Sequence, residues 1–200
     1  MKRATLFLIM LMLVLALAAC AGTDDNKENQ NEKSKKGTGM EKDNGEKENN
    51  KDTVNVNLKN GDGDKVGSAK LKQESNGVRI QLKVSKLSKG THGFHIHEKG
   101  QCKAPDFKSA GGHFNPTDAS HGFDHPKGEH AGDLPNIEVG KDGTVEEEFL
   151  AKNVTLKKGK ENLLFDKDGS ALVIHAEADD GKSQPSGDAG DRVACGVISE

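Results

Sequence analysis

The amino-acid sequence predicts an all-β domain, built as a sandwich or barrel of about eight short strands. Short segments in which apolar and polar residues alternate recur from residue 53 onward, and turn-forming pairs such as Asn60-Gly61 and Asp142-Gly143 separate several of them. The sequence shows no convincing helical periodicity in this region and no internal repeat. The expected strands lie at 53–58, 66–71, 78–84, 93–97, 137–139, 145–150, 172–175 and 193–198.

The strand segments show two kinds of burial pattern. At 53–58 valine and leucine alternate with asparagine, and 78–84 alternates in a similar way, so each segment predicts a strand with one buried and one solvated face. The apolar run at 172–175 instead predicts a strand buried on both faces.

Two long segments, 98–135 and 177–190, lack strand patterns, and the first is rich in glycine, proline, aspartate and histidine. Long loops without secondary structure are uncommon in compact domains unless they carry function or are cross-linked. We therefore expect both segments to be functional loops.

The first 52 residues differ in composition from the rest. Residues 1–19 combine a basic start, an apolar stretch and small residues before Cys20, which predicts an export signal. This arrangement resembles the lipobox of bacterial lipoproteins and implies a lipid on Cys20 that anchors the protein at the extracytoplasmic face of the cell membrane. An ordinary signal peptide cleaved elsewhere is the alternative. Residues 20–52 are then expected to form the lipidated cysteine and a disordered charged tether, because they contain almost no apolar side chains.

Residues 53–200 have the length of a single domain. The chain has a formal net charge of −3, so nothing in its charge suggests nucleic-acid binding. Cys102 and Cys195 belong to an exported domain, where a disulfide is the usual state, and two buried thiols are the alternative.

Histidines are concentrated in one part of the predicted domain. His95 and His97 lie two residues apart on a predicted strand, so both rings share a face opposite Phe94 and Ile96. Neutral imidazole suits copper and zinc, and one carboxylate can complete a tetrahedral zinc site, so two transition metals are predicted. Histidines scattered over a surface are the alternative, but seven donors would then cluster by chance in a chain with 8 histidines. The donors are His95, His97, His113, His121, His130, Asp133 and His175.

Four segments together resemble the copper/zinc superoxide dismutases in order and approximate spacing. The resemblance covers essentially all of 53–200 and implies the architecture known for that family, an eight-stranded antiparallel Greek-key sandwich or barrel of immunoglobulin type with two long functional loops. The segments are GFHIHE at 93–98, GGHFNP at 111–116, HAGDL at 130–134 and GDRVACGVI at 190–198.

The resemblance also implies the ligand sets and their surroundings. His113 would bridge the two metals as imidazolate, and Asp179 would link a copper histidine to a zinc histidine, unless it is a solvated loop acid. Cys102 and Cys195 match the intrachain disulfide of the family. Copper is assigned to His95, His97, His113 and His175, and zinc to His113, His121, His130 and Asp133.

The activity implied is conversion of superoxide to dioxygen and hydrogen peroxide by Cu(II)/Cu(I) cycling, protecting the cell surface from extracellular superoxide. His113 would take up a proton during the cycle. Arg192 would draw in and orient the anion, with an ordinary surface ion pair as the alternative.

Loop 177–190 is shorter than in eukaryotic members and has Pro185 where they carry a lysine, so we expect weaker electrostatic guidance. We expect a monomer or weak dimer, because the compact stretch between His97 and Cys102 alters a surface that some members use to dimerise.

Two other classes of function remain open from the sequence. The same histidines could buffer or deliver copper or zinc at the cell surface without catalysis. A structural or adhesive domain could also retain the sandwich and lose the chemistry, but it would be expected to lack metal ligands.

Overall fold

The computed structural model describes residues 52–200. The expected signal peptide, the lipid on Cys20 and the tether up to residue 51 lie outside the described residues. Among residues 52–200 no helix has the length and apolar character needed to cross a membrane. A 3-10 turn occupies Lys108–Ala110, and the strands are β1 (Thr53–Asn60), β2 (Lys65–Glu74), β3 (Gly77–Val84), β4 (Gly90–His92), β5 (Phe94–His97), β6 (Ile137–Val139), β7 (Val145–Ala151), β8 (Ser170–His175) and β9 (Arg192–Ile198).

Seven of these strands form one antiparallel sheet in the order β5-β8-β9-β1-β2-β3-β7, curled into a half-barrel, and β4 pairs with β6. Neighbours that are distant in sequence, such as β9 with β1 and β3 with β7, are typical of Greek-key connections. The all-β antiparallel prediction is confirmed. The strand that the sequence did not predict is β4, whose residues Gly90, Thr91 and His92 include no aliphatic side chain to indicate a buried face.

The main core lies inside the curl of the sheet. It contains alternate side chains from several strands, including Leu58, Leu71 and Ile80, each fully buried. β8 is buried along its whole length, as predicted, because its two faces meet different clusters. Leu172 and Ile174 face the main core, and a second small cluster lies on the other side of β8 and β9, formed by Phe107, Ala110, Ala171, Val173 and Cys195.

A disulfide joins Cys102 to Cys195 and confirms the predicted pairing. It ties the segment that follows β5 to the last strand, with the two Cα atoms 5.7 Å apart. Phe107 and Ala110 from the same segment cover the outer side of β8 and β9. The disulfide thus fixes one end of the long loop against the sheet.

Replacing both cysteines by serine, as Cys102→Ser with Cys195→Ser, should lower the free energy of unfolding of the metal-free protein by about 2–5 kcal/mol. The reason is that the cross-link spans 93 residues and restricts the unfolded chain. Urea unfolding measures the change. A reductant should reproduce the loss in the wild-type protein and have no effect on the double variant. Equal stability of oxidised wild type and double variant would contradict this role.

Candidate metal centre

The free edge of β5 organises the centre. The long loop returns to this edge, where the Phe114 amide donates to the Ile96 carbonyl (2.8 Å) and the Ile96 amide donates to the Gly132 carbonyl (2.9 Å). At Gly132 an added Cβ would overlap the Ile96 carbonyl, so only glycine permits this close approach. These contacts bring His113 and Asp133 beside β5.

The predicted strand geometry of β5 is observed. His95 and His97 point to one face, and Phe94 and Ile96 point into the main core. His175 comes from the end of neighbouring β8, just after a break in the β8–β9 register. Such irregularities re-aim a side chain at the end of a strand.

The structure gathers the seven predicted donors into two sets of four. Within each set, one ligand atom from every residue lies within 4.8 Å of the others, and every member is buried. One set consists of His95, His97, His113 and His175; the other consists of His113, His121, His130 and Asp133. Only His113 belongs to both.

Three buried ring nitrogens have no hydrogen-bond partner within residues 52–200: His95 Nδ1, His113 Nε2 and His121 Nδ1. Buried polar atoms are normally satisfied, so each is explained by a ligand that the protein atoms do not supply. His95 belongs to the first donor set, His121 to the second, and His113 to both. The residues therefore fit a metal ion in each set.

The outward nitrogens of four donor histidines are held by acceptors. His97 Nδ1 donates to the Gly111 carbonyl (3.0 Å), and His175 Nδ1 donates to the Gly190 carbonyl (3.2 Å). His95 Nε2 and His121 Nε2 both donate to the carboxylate of Asp179, at 2.6 and 3.0 Å. These bonds fix the rings so that the opposite nitrogen of each presents a lone pair to its set.

Burial favours the neutral form of three histidines in the first set. It lowers the pKa of His113 to about 4 and that of His175 to about 3, and it holds the pKa of His97 well below its usual range. A neutral imidazole is the form that binds a transition metal. These three rings are thus ready to coordinate at neutral pH.

The second set lies in a negative environment. Burial would raise the pKa values of Asp133 and Asp179, but hydrogen bonds from the surrounding histidines outweigh it and keep both pKa values far below their usual range. Burial also opposes protonation of His121, yet the two carboxylates raise its pKa to about 9. Two buried carboxylates that favour a positive charge are a suitable setting for a divalent cation.

Arg192 lies at the rim of the first set, opposite His175 in the β8–β9 register. Its guanidinium donates to the carbonyls of Phe107 and Gly111, both at 2.7 Å. The Gly111 carbonyl also accepts from His97, so one oxygen orients both the arginine and a donor ring. Burial lowers the pKa of Arg192, but a guanidinium stays charged at neutral pH.

The structure places Asp179 and Arg192 beside the two donor sets, whereas His125, a histidine of the first long loop, belongs to neither set. The sequence did not predict a role for Asn136. Its side chain donates to the Asp179 carbonyl (2.8 Å) and accepts from the Asp179 amide (2.9 Å). An asparagine after Pro135 indicates only a turn, so the pattern carried no signal for this contact.

The comparison with protein families agrees with this geometry. The family model for copper/zinc superoxide dismutase (SODC) matches residues 65–198. The chain belongs to the copper/zinc superoxide dismutase family. Among its relatives, "Superoxide dismutase [Cu-Zn] 1" of Aquifex aeolicus is 53% identical over 137 residues, which are 68% of this chain and 81% of the relative. "Superoxide dismutase-like protein YojM" of Bacillus subtilis is 48% identical over 141 residues, 70% of this chain and 72% of that protein.

Solved structures of the family share the fold. A superoxide dismutase-like protein from Bacillus subtilis superposes with a TM-score of 0.71 at 46% identity and covers 73% of this chain and 98% of its own. The Cu/Zn superoxide dismutase from Brucella abortus gives a TM-score of 0.60 at 30% identity, with 74% and 99% coverage. Copper and zinc are thus the metals of this family, and the two donor sets are compatible with them.

Proposed function

We propose that this chain catalyses the dismutation of superoxide to dioxygen and hydrogen peroxide. The observation that carries the proposal is the pair of complete four-donor sets joined by one shared ring, His113. Four histidines suit copper in the first set, and three histidines with one carboxylate suit tetrahedral zinc in the second. When bound, copper supplies the one-electron Cu(II)/Cu(I) cycle on which the reaction depends.

His113 is the residue placed to hold a proton between the two sets. Its Nδ1 lies 2.7 Å from Asp133 Oδ1, so the ring stays fixed from the zinc side. Its Nε2 is buried and has no partner in residues 52–200, so it is the atom that can take up and release a proton. The remaining residues of the second set, His121, His130 and Asp133, would hold zinc, which has no redox chemistry of its own.

Arg192 has the position and charge to attract a small anion. It lies beside His97 and His175 of the copper set, while the two carbonyls that it contacts keep its fork in one orientation. A fixed positive charge at an entrance raises the rate at which an anion arrives and aligns it on arrival.

The competing proposal of a metal-buffering protein explains less of the structure. Storage requires donors, but it does not require an arginine held at the rim of one set or a ring shared by both. An adhesive domain that had lost the chemistry would not retain all seven donors in two compact groups.

Protein loaded with copper and zinc should accelerate superoxide decay, and the metal-free protein should not. The His113→Ala variant, loaded in the same way, should be slower by at least about tenfold, because removal of the shared ring uncouples the sets. Pulse-radiolysis decay rates, with elemental analysis of each sample, measure this. The variant should retain its disulfide and its far-UV circular dichroism. Absence of acceleration by fully loaded wild type would favour metal buffering, and normal turnover by the variant would overturn the shared role of His113.

Arg192→Ala should lower the bimolecular rate with superoxide by roughly tenfold and weaken its dependence on ionic strength, because a fixed charge near the site is lost. Arg192→Lys is the matched control: it keeps the charge without the two-pronged contact, so we expect an intermediate rate. Decay rates measured across a range of salt concentrations separate the variants. A rate and salt response unchanged from wild type would show that Arg192 does not guide the anion.

We also propose that a lipid on Cys20 anchors the protein at the extracytoplasmic face of the cell membrane, where it would remove extracellular superoxide. The support is the small-residue sequence before Cys20 and the charged segment that separates it from the domain.

We further propose a monomer or weak dimer. Within residues 52–200 the exposed large apolar side chains are Phe123 and Val197, which form too little apolar surface for a large interface.

Cys20→Ser should release the full chain from membranes of an expressing bacterium, because the acylation site is lost. Detergent phase partitioning with Triton X-114 measures the change: the wild type should enter the detergent phase and the variant the aqueous phase. The Cys102→Ser/Cys195→Ser variant is a matched control that loses cysteines elsewhere and should partition like wild type. Wild-type protein found only in the aqueous phase would rule out the anchor.

A further inference from the structure

We propose that Gln184 is a positioning residue for His121, one of the four residues assigned to zinc. This inference rests on the proposed function, since it concerns the same donor set. It assigns to the second long loop a role beyond supplying Asp179: that loop holds a metal ligand of the first loop in place by binding its backbone.

The side-chain amide of Gln184 pairs with both polar backbone groups of His121. The His121 amide donates to Gln184 Oε1 at 2.9 Å, and Gln184 Nε2 donates to the His121 carbonyl at 2.9 Å. The same Nε2 also donates to the Lys182 carbonyl at 3.2 Å, which ties the glutamine to its own loop. A side chain that both donates to and accepts from one residue fixes that residue's position as a strand neighbour would.

His121 needs such a contact because no strand carries it. Between β5 and β6 the described chain contains only turns, isolated bridges and the Lys108–Ala110 turn. Three histidines of the copper set are placed by strands instead: His95 and His97 lie on β5, and His175 lies on β8. For His121, side-chain hydrogen bonds take the place of a sheet.

The ring of His121 is held by the same loop that holds its backbone. His121 Nε2 donates to Asp179 Oδ1 at 3.0 Å, and the Asp179 backbone is itself bound on both sides by Asn136. Gln184 and Asp179 therefore fix His121 at two separate places. Together they determine where Nδ1, the nitrogen left for zinc, points.

Gly187 shows how closely this loop is fitted to the histidine. Its φ is +74°, and an added Cβ would overlap both Asp179 and the His121 ring. The Gly187 amide donates to the Ser183 carbonyl at 2.7 Å, so it closes the turn that carries Gln184. The turn from 183 to 187 thus packs its backbone directly against the contact between Asp179 and His121.

Loss of the Gln184 amide should loosen the zinc set and leave the copper set nearly unaffected. Partners that orient a metal ligand typically contribute 10–100-fold to metal affinity, and Gln184 acts through the backbone of His121 rather than on its ring. We therefore expect Gln184→Ala to release zinc about tenfold faster than wild type.

The experiment uses disulfide-intact full-length chain loaded either with Zn²⁺ alone or with Co²⁺ alone. Zinc release to a chromogenic chelator gives the rate, and the d–d absorption of Co²⁺ reports the geometry of the donor set. Copper release from separately copper-loaded protein is measured in parallel. Gln81→Ala is the matched control, because it removes the same side-chain amide from the outer face of β3, where that amide donates a hydrogen bond to Glu148 and touches neither donor set.

The expected result is faster zinc release and an altered Co²⁺ spectrum in Gln184→Ala, with copper release unchanged and Gln81→Ala like wild type. Gln184→Glu should also release zinc faster, because a carboxylate cannot donate to the His121 carbonyl. Wild-type zinc release and spectrum in Gln184→Ala would overturn the inference, and so would equal acceleration of zinc and copper release, which would indicate general destabilisation. Wild-type protein that binds neither Zn²⁺ nor Co²⁺ would instead overturn the proposed zinc set itself.

Discussion

The carboxylate of Asp179 is the constraint on which the arrangement of donors depends. One of its oxygens accepts from His95 and the other from His121, so a single side chain sets ring orientations in both donor sets. The carboxylate stays ionised because the hydrogen bonds from the histidines outweigh the cost of its burial. Without this carboxylate between them, the rings of His95 and His121 would be free to rotate. The ring nitrogens that belong to the two donor sets would then no longer be held in place.

Some of the donors are placed by the sheet and the others by a loop. β5 and β8 supply His95, His97 and His175 from a hydrogen-bonded framework whose other face is packed in the core. The remaining donors come from a loop that must be fixed by cross-links at intervals. These are the Cys102–Cys195 disulfide, the backbone pairing of the loop with Ile96, and the side-chain amides of the second loop. The long loop is thus held at several separate points by the sheet and by the second loop.

Much of this arrangement could be predicted from local pattern. Period-two alternation placed β1 and β3, and the same period placed His95 and His97 on one face, because side-chain direction in a strand follows directly from residue number. The resemblance to a family supplied what periodicity could not, including the choice of His113 as the shared ring. Strand β4 was not predicted because its three residues include no aliphatic side chain that would indicate a buried face.

The contacts of Gln184 and Asn136 could not be predicted from the sequence, for a different reason. Gln184 binds a residue 63 positions away, and Asn136 binds one 43 positions away, so neither pairing leaves a periodic trace in the chain. Amides of this kind are common in loops, where they normally indicate turns. Their role is defined only when two loops meet in space.

The Gly111 carbonyl limits how a centre of this kind can change during evolution. Because this one oxygen accepts from both His97 and Arg192, a shift of the local backbone would move a histidine of the first donor set and the guanidinium together. Under the proposed function, metal coordination and anion capture could not be adjusted separately at this point. Selection acting on the rate of substrate arrival would therefore also act on the retention of the metal.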